Sequence, residues 1–418
     1  MMKYITQTDR AIAKLISAER RRQEQTLMLI PSENYASQAV EEAVGSPLGN
    51  KYAEGYPQKR YYQGQTFVDQ VEQLAIERAK KLFGVPHVNV QPYSGSPANA
   101  AVYFNLLNSG DVVMGLTLSS GGHLTHGHPK ITFSGKFFTS IQYEVGKDGV
   151  IDYDQLAKFV KKHKPKILVA GTTAYPRVLN FKRFGEIAGS VGAYLLADIS
   201  HIAGLIIAGV HPSPTAFAHV VMTTTHKTLR GPRGAMILVT KRGLNKDKDL
   251  ANKIDKAVFP GLQGGPHINT IAGIAVALTE ASTARFKKYG QQIVKNAKAL
   301  AQTLMINGVN LTTGGTDNHL MVADLRSLNI KGKDAAILLE KAGIVLNYNT
   351  VPFDPNPPFN PSGIRLGTPA VTSRGMKEKE MKKIGELIVT ILKKKLTAAE
   401  VLKEVRQLCR RFPIPKAY

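Results

Sequence analysis

Short apolar runs recur through the first two thirds of the chain, separated by longer stretches in which apolar positions repeat every three or four residues. Residues 88–90, 112–116, 167–170, 194–197, 220–222 and 235–239 are continuous enough to be strands buried on both faces. Residues 67–83 carry instead a stripe of Val68, Val71, Leu74, Ala75, Ala79 and Leu82, which predicts an amphipathic helix with that stripe inside. Alternation of the two patterns is that of an α/β protein, a mainly parallel sheet flanked by helices.

The pattern changes after Gly264-Gly265-Pro266. A helical stretch over 271–307 leads into a second unit with a strand at 320–325 and a basic amphipathic run at 376–395. The proline-rich segment 351–361 reads as an ordered or semi-ordered loop, because its prolines lack the amides a strand ladder needs. No internal repeat or low-complexity tract interrupts the chain. The expected organisation is a helical N-terminal arm (1–25), a large domain (26–275) and a smaller α+β C-terminal domain (276–418).

At 418 residues and 43% hydrophobic, the chain can bury a large core. Cys409 is the single cysteine, so no internal disulfide forms, and a lone thiol suits a reducing compartment, with cytoplasm the default. No run approaches the roughly 18 apolar residues of a membrane span, and MMKYITQTDR lacks the apolar core of a signal peptide. The net charge of +24 should draw polyanions. Its basic residues are scattered, however, and 7% aromatics without tryptophan make a poor base-stacking platform, which places dedicated nucleic-acid binding behind an enzyme.

Several local features can carry chemistry. In VVMTTTHKTLRGPRG an apolar strand runs into small hydroxyl residues and then Lys227, a position suited to a Schiff base, although in so basic a chain any one lysine is more often a surface charge. Asp198 closes the strand YLLAD, with His201 three residues on. It could hold a proton on a pyridine nitrogen, or simply cap the next helix. In SGSPANAAVYF, Ser96 is placed as N-cap and Pro97 as the first helical residue, so that Ser94, Gly95 and Ser96 could cradle a phosphate; a plain capped helix would look the same.

His123, His126 and His128 invite a metal reading, but no carboxylate or cysteine lies among them, and the bracketing glycines fit a loop passing close to a ligand better. Glu54 sits among Tyr52, Tyr56, Tyr61 and Tyr62, where a desolvated carboxyl could move a proton or the aromatic loop could pack at a subunit contact. Arg365 offers a planar fork for a carboxylate, or a structural ion pair. Schiff-base lysine, ring acid, phosphate turn and carboxylate clamp together describe pyridoxal-phosphate chemistry on an amino acid.

From about Arg20 to beyond Gly375 the chain resembles the serine hydroxymethyltransferase family, through LIPSEN, KYAEGYPQKRYYQGQ, VQPYSGSPAN, GGHLTHG, AYPR, HIAG, TTTHKTLRGPRG, FPGLQGGP, GGTDNHL and SGIRLGTPAVTSRG. The resemblance implies the aspartate-aminotransferase type of pyridoxal-phosphate fold (fold type I), with a mainly parallel seven-stranded sheet, and a homodimer or dimer of dimers with shared active sites. It implies transfer of the hydroxymethyl unit of L-serine to tetrahydrofolate, giving glycine and 5,10-methylenetetrahydrofolate.

By the same resemblance Lys227 forms the Schiff base, Asp198 pairs with the ring nitrogen, His123 stacks on the ring and His201 lies near its hydroxyl. Ser94, Gly95 and Ser96 bind the phosphate with Tyr52, Gly264 and Gly265 of the partner, and Thr173, Thr224 and Arg233 join the cofactor contacts. Ser32 and Arg365 engage the substrate. Glu54 of the partner moves a proton, with Tyr62 beside it, and His226 belongs to the catalytic group. Leu118, Gly122, Leu124 and Asn349 line the folate. Pro31, Pro97, Thr173, Ser200, Asn269 and Tyr348 depart from the family's usual residues without deleting any of these groups. The rival readings are a folate-independent aldolase of β-hydroxy amino acids and a nucleic-acid-binding protein on an inactivated scaffold.

Overall fold

A computed structural model describes residues 3–129 and 131–418. Its central sheet has seven strands: β1 His87–Asn89, β2 Val112–Leu116, β3 Thr139–Tyr143, β4 Ile167–Gly171, β5 Tyr194–Asp198, β6 Val220–Thr224 and β7 Ala235–Val239. The spatial order is β1-β7-β6-β5-β4-β2-β3. The strands from β6 to β3 run parallel, and β7 is antiparallel to both of its neighbours. Every residue of β4, β6 and β7 is buried, as continuous apolar runs require when helices cover both faces.

The sheet's two faces build separate cores. Val221, Met236 and Leu238 point into one with the helix Thr66–Phe83, while Val220, Met222 and Ile237 point into the other with the helix Gly95–Leu106. Strand β3 escaped the apolar-run criterion because it lies at the sheet edge and reads TSIQY, with four of its five residues at least partly exposed.

A third core surrounds a four-stranded antiparallel sheet of β8 Asn310–Leu311, β9 Leu320–Asp324, β10 Asn347–Asn349 and β11 Gly363–Gly367, in the order β8-β9-β11-β10. Helices Ala284–Ile306, Glu378–Leu392 and Ala398–Arg411 contribute to that core. Near the start of the chain, Leu27–Met28 pairs in parallel with Ile344–Val345.

Three expectations need correction. The helix Thr66–Phe83 leaves Leu74 45% exposed and buries Glu72, because Glu72 accepts from Arg60 Nη2 at 2.6 Å and from Gln91 Nε2 at 2.8 Å. The stretch 271–307 is two helices, Ile268–Ala281 and Ala284–Ile306; Thr283 ends the continuity by accepting from the amide of Phe286 as an N-cap. Ser94, not Ser96, is the N-cap of Gly95–Leu106, which places Pro97 at the third helical position, two deeper than the spacing implied. The proline-rich loop is ordered by Asp354, whose carboxylate accepts from the amides of Val351, Asn356 and Ser362 and from the Ser362 hydroxyl.

Candidate active site

The carboxyl ends of β4, β5 and β6 open onto a cavity of about 430 Å³, the position that open α/β sheets reserve for ligands. One wall is the start of the helix Gly95–Leu106. The Ser94 hydroxyl makes no capping bond, so the first amides of that helix remain available to an anion beside the hydroxyls of Ser94 and Ser96. Gly95 is required there, since a Cβ would come within 2.8 Å of Thr224 Cγ2.

Asp198 ends β5 on the cavity floor and is 7% exposed. Its Oδ1 accepts from the Ser200 hydroxyl at 2.6 Å and the Ser200 amide at 3.1 Å, so it is tied to its own turn rather than capping the helix Ala203–Ile207. Its Oδ2 faces His126 Nε2 at 2.9 Å and Asn99 Nδ2 at 3.1 Å. His126 Nδ1 accepts from the His123 amide, which leaves the ring proton on Nε2, directed at Asp198. Gly171 makes room for the pair: a Cβ there would lie 2.7 Å from Asp198 Cβ and 3.0 Å from His126 Cε1. Burial pushes the Asp198 carboxyl up, but the bonds from His126 and Ser200 outweigh it and hold the group well below the usual carboxylate range.

Lys227 reaches the cavity from the turn after β6, its Nζ donating to Thr224 Oγ1 at 3.0 Å. Burial lowers its ammonium to about 8; Asp198 opposes the shift, and Arg365 and Arg233 add to it. His226 beside it is lowered to about 3, by burial first and then by Lys227 and Arg233. His123 is lowered to about 4, by burial and then by His126. His201 and His319 approach within 3.3 Å, and both are pushed down by burial and by Arg365, so they pack as neutral rings. Arg365 crosses from β11: its Nη1 donates to the Thr173 carbonyl at 2.7 Å and its Nε to Asn347 Oδ1 at 3.0 Å. The cavity therefore combines an amine deprotonable near neutral pH, a fixed anion, and a guanidinium.

Ser32, Leu118, Gly122, Leu124, Thr173, Thr224 and Arg233 also line this space. Tyr52, Glu54, Tyr62, Gly264 and Gly265 do not. They form a second cluster on the same chain, with the Tyr52 and Tyr62 rings 5.2 Å apart, the Tyr62 hydroxyl 3.4 Å from Glu54 Oε2, and Gly265 packed under the Tyr52 ring. Tyr52 and Tyr62 are 57% and 44% exposed. Asn349 lies in a neighbouring narrow cleft with Ser119, Tyr175 and Thr350.

Sequence reasoning missed Asn99, Thr125 and the buried role of His126, and saw Ser200 only as a departure. Asn99 follows Ser96 by three residues on the helix, one turn deeper, which was the available signal. Glu33, which also lines the cavity and is pushed up by burial, carried no signal beyond its place in LIPSEN.

A family model described as "Serine hydroxymethyltransferase" matches residues 5–388. A protein of Acidothermus cellulolyticus named serine hydroxymethyltransferase is 55% identical over 421 residues, covering 98% of this chain and 97% of the relative. Proteins of the same name from Desulfotalea psychrophila and Methanosarcina barkeri are each 54% identical over 417 residues; each match covers 99% of this chain, with 96% and 100% of the respective relatives.

Proposed function

Because the chain belongs to the serine hydroxymethyltransferase family, we propose how its own residues divide the work. The protein has the type I fold of pyridoxal-phosphate enzymes and catalyses reversible transfer of the hydroxymethyl unit of L-serine to tetrahydrofolate, giving glycine and 5,10-methylenetetrahydrofolate. It depends on pyridoxal phosphate, with tetrahydrofolate as co-substrate.

The residues present fit that cofactor. A helix start with uncommitted amides suits the phosphate, an ionised carboxylate on the cavity floor suits a protonated ring nitrogen, and the buried Asn99 Oδ1 has no hydrogen-bond partner among the described residues. When bound, pyridoxal phosphate supplies an electron sink for the charge left as the Cα–Cβ bond of serine breaks.

Ser94, Gly95 and Ser96 would hold the phosphate, Asp198 would keep the proton on the ring nitrogen, and His123 and the neutral His201 would bound the ring. Thr173, Thr224 and Arg233 would complete that shell, and Lys227 would carry the cofactor through Nζ. The single observation that carries this reading is a buried Nζ lowered to about 8 in one cavity with ionised Asp198 and Arg365. An amine in that range gives up and takes back a proton near neutral pH, which ammonium of ordinary basicity does not. The neutral His226 beside Lys227 excludes a further charge from this corner.

Arg365 would clamp the serine carboxylate, since its fork is fixed by Thr173 and Asn347, and Ser32 would orient the same end of the substrate. Leu118, Gly122, Leu124 and Asn349 would receive the folate. Glu54, with Tyr62, would handle the proton on the hydroxymethyl oxygen or the folate nitrogen.

Glu54, Tyr62, Tyr52, Gly264 and Gly265 would reach the cavity of a neighbouring copy, in a homodimer or dimer of dimers. Supporting this is an exposed apolar surface on and around their segment, including Tyr52, Tyr61, Tyr62, Phe67 and Leu262. Cytoplasmic residence is the matching proposal; no helix among the described residues is long and apolar enough to cross a membrane. The test is glycine formation from serine with and without tetrahydrofolate. Turnover that is indifferent to folate would instead support the aldolase reading.

A further inference from the structure

The helix Ala284–Ile306 has 23 residues, and every charged one among them is basic. Arg285, Lys287 and Lys288 crowd its first turns with no acid, the end where positive charge is least favourable. Arg285, Lys288 and Lys295 follow one another at spacings of three and seven, so they share a face, and that face lines a cavity of about 490 Å³. Lys377 lines it from the other side.

At its base lies Arg230, which is 3% exposed. Its guanidinium sits against the rings of Tyr418 at 3.5 Å, Tyr289 at 4.1 Å and Phe286 at 5.3 Å. Ring faces offset part of the charge but accept none of the in-plane N–H groups, and Nε has no hydrogen-bond partner among the described residues. A buried guanidinium with an unsatisfied donor in a basic cavity is costly unless an acceptor completes it. Among the described residues two acidic side chains act on this neighbourhood, Glu378 on Lys295 and Lys377, and Glu280 on Tyr418, but neither lines the cavity. The hydroxyls of Thr372 and Ser373 are already committed, donating to the Thr368 carbonyl and to Asn34 Oδ1.

We propose that this cavity, separate from the Lys227 site, binds a small multivalent phosphate-type oxyanion between Arg230 and the Arg285, Lys288, Lys295 and Lys377 side chains. Its chemistry fits inorganic phosphate, pyrophosphate or a phosphate monoester. The site touches the catalytic loop: the Arg230 amide donates to the Lys227 carbonyl at 3.1 Å, and Asn34 Nδ2 donates both to that carbonyl at 3.0 Å and to the Tyr289 hydroxyl at 2.7 Å.

The experiment uses holoenzyme, so that the cofactor's phosphate cradle is already filled, at constant ionic strength set with chloride. Titration calorimetry with pyrophosphate, inorganic phosphate, glycerol phosphate and citrate is compared between the wild type and a Lys288→Glu/Lys295→Glu variant. Expected is saturable binding of one pyrophosphate per chain, weakened about tenfold or more in the variant. Relative affinities for phosphate and glycerol phosphate then separate a free anion from an esterified one. Both substitutions are on exposed side chains, so folding is preserved; Arg230→Met is expected to abolish binding where it folds. Absence of saturable binding, equal affinity in the double variant, or binding of citrate alone would overturn the proposal.

Discussion

His126 Nε2 lies 2.9 Å from Asp198 Oδ2 while His126 Nδ1 accepts the amide of His123, so one imidazole ties the cavity's fixed anion to the loop that covers it. The tautomer is set by the backbone, and the proton faces the carboxylate.

Replacing His126 by Ala should therefore weaken cofactor binding without removing any group that touches the cavity. A hydrogen bond to a buried charge contributes about 1.5–3 kcal/mol, which is roughly ten- to hundredfold in affinity. Titration of apoprotein with pyridoxal phosphate, followed by visible absorbance, measures the loss. Unchanged affinity would show that Asn99 and Ser200 suffice to hold Asp198.

The buried Lys227 gives the apoprotein a pH dependence of known sign. Its folded value of about 8 lies below the unfolded value of about 10.4. Below pH 8 both states are protonated and the burial penalty is complete. Between the two values the unfolded chain holds the extra proton, so stability rises with pH. A Lys227→Met apoprotein should be more stable than wild type at pH 7 by up to about 3 kcal/mol, and the gap should narrow from pH 8 to pH 10. Urea unfolding of both proteins across that range checks it.

Arg365→Lys keeps the charge but loses the fork held by Thr173 and Asn347. The expected result is a KM for serine raised about a hundredfold, with the cofactor's visible band retained. A lost band would place Arg365 with the cofactor rather than the substrate.

Ser200→Ala removes the 2.6 Å bond to Asp198 Oδ1 and the acceptor of the Thr224 amide at 3.1 Å. The buried amide left behind should cost about 1–3 kcal/mol in unfolding free energy. The Asp198 carboxyl should also rise, because one of the bonds holding it down is gone.

The proposed sharing of sites between subunits predicts complementation. Lys227→Ala and Glu54→Gln proteins are each expected to be inactive or strongly impaired, yet unfolding and refolding an equal mixture should restore about a quarter of wild-type turnover, because half the dimers are mixed and one of their two sites is intact. No recovery would place Glu54 in its own chain's cavity.

The apolar runs located six of the seven strands of the main sheet, since burial on both faces leaves an unbroken signature; edge strand β3, facing partly outward, left none. Lys227, Asp198 and Arg365 could each be singled out by residue type and position at an element end, but equally as surface charge, helix cap or structural ion pair. The cavity brings all three together, and leaves Glu54, Tyr62 and Tyr52 outside it, in a separate cluster whose two tyrosines are exposed.

What the chain dictated by itself is local: where strands and helices form, and which residues stand at their ends, because hydrophobic period and capping chemistry act over a few neighbouring residues. Only the tertiary structure decided that Asn99 and His126, 99 and 72 residues before Asp198, converge on its carboxylate. Those contacts follow from the order and register of parallel strands joined by long crossovers, and the ionisation of Asp198 and the lowered Lys227 follow in turn from the burial that packing imposes.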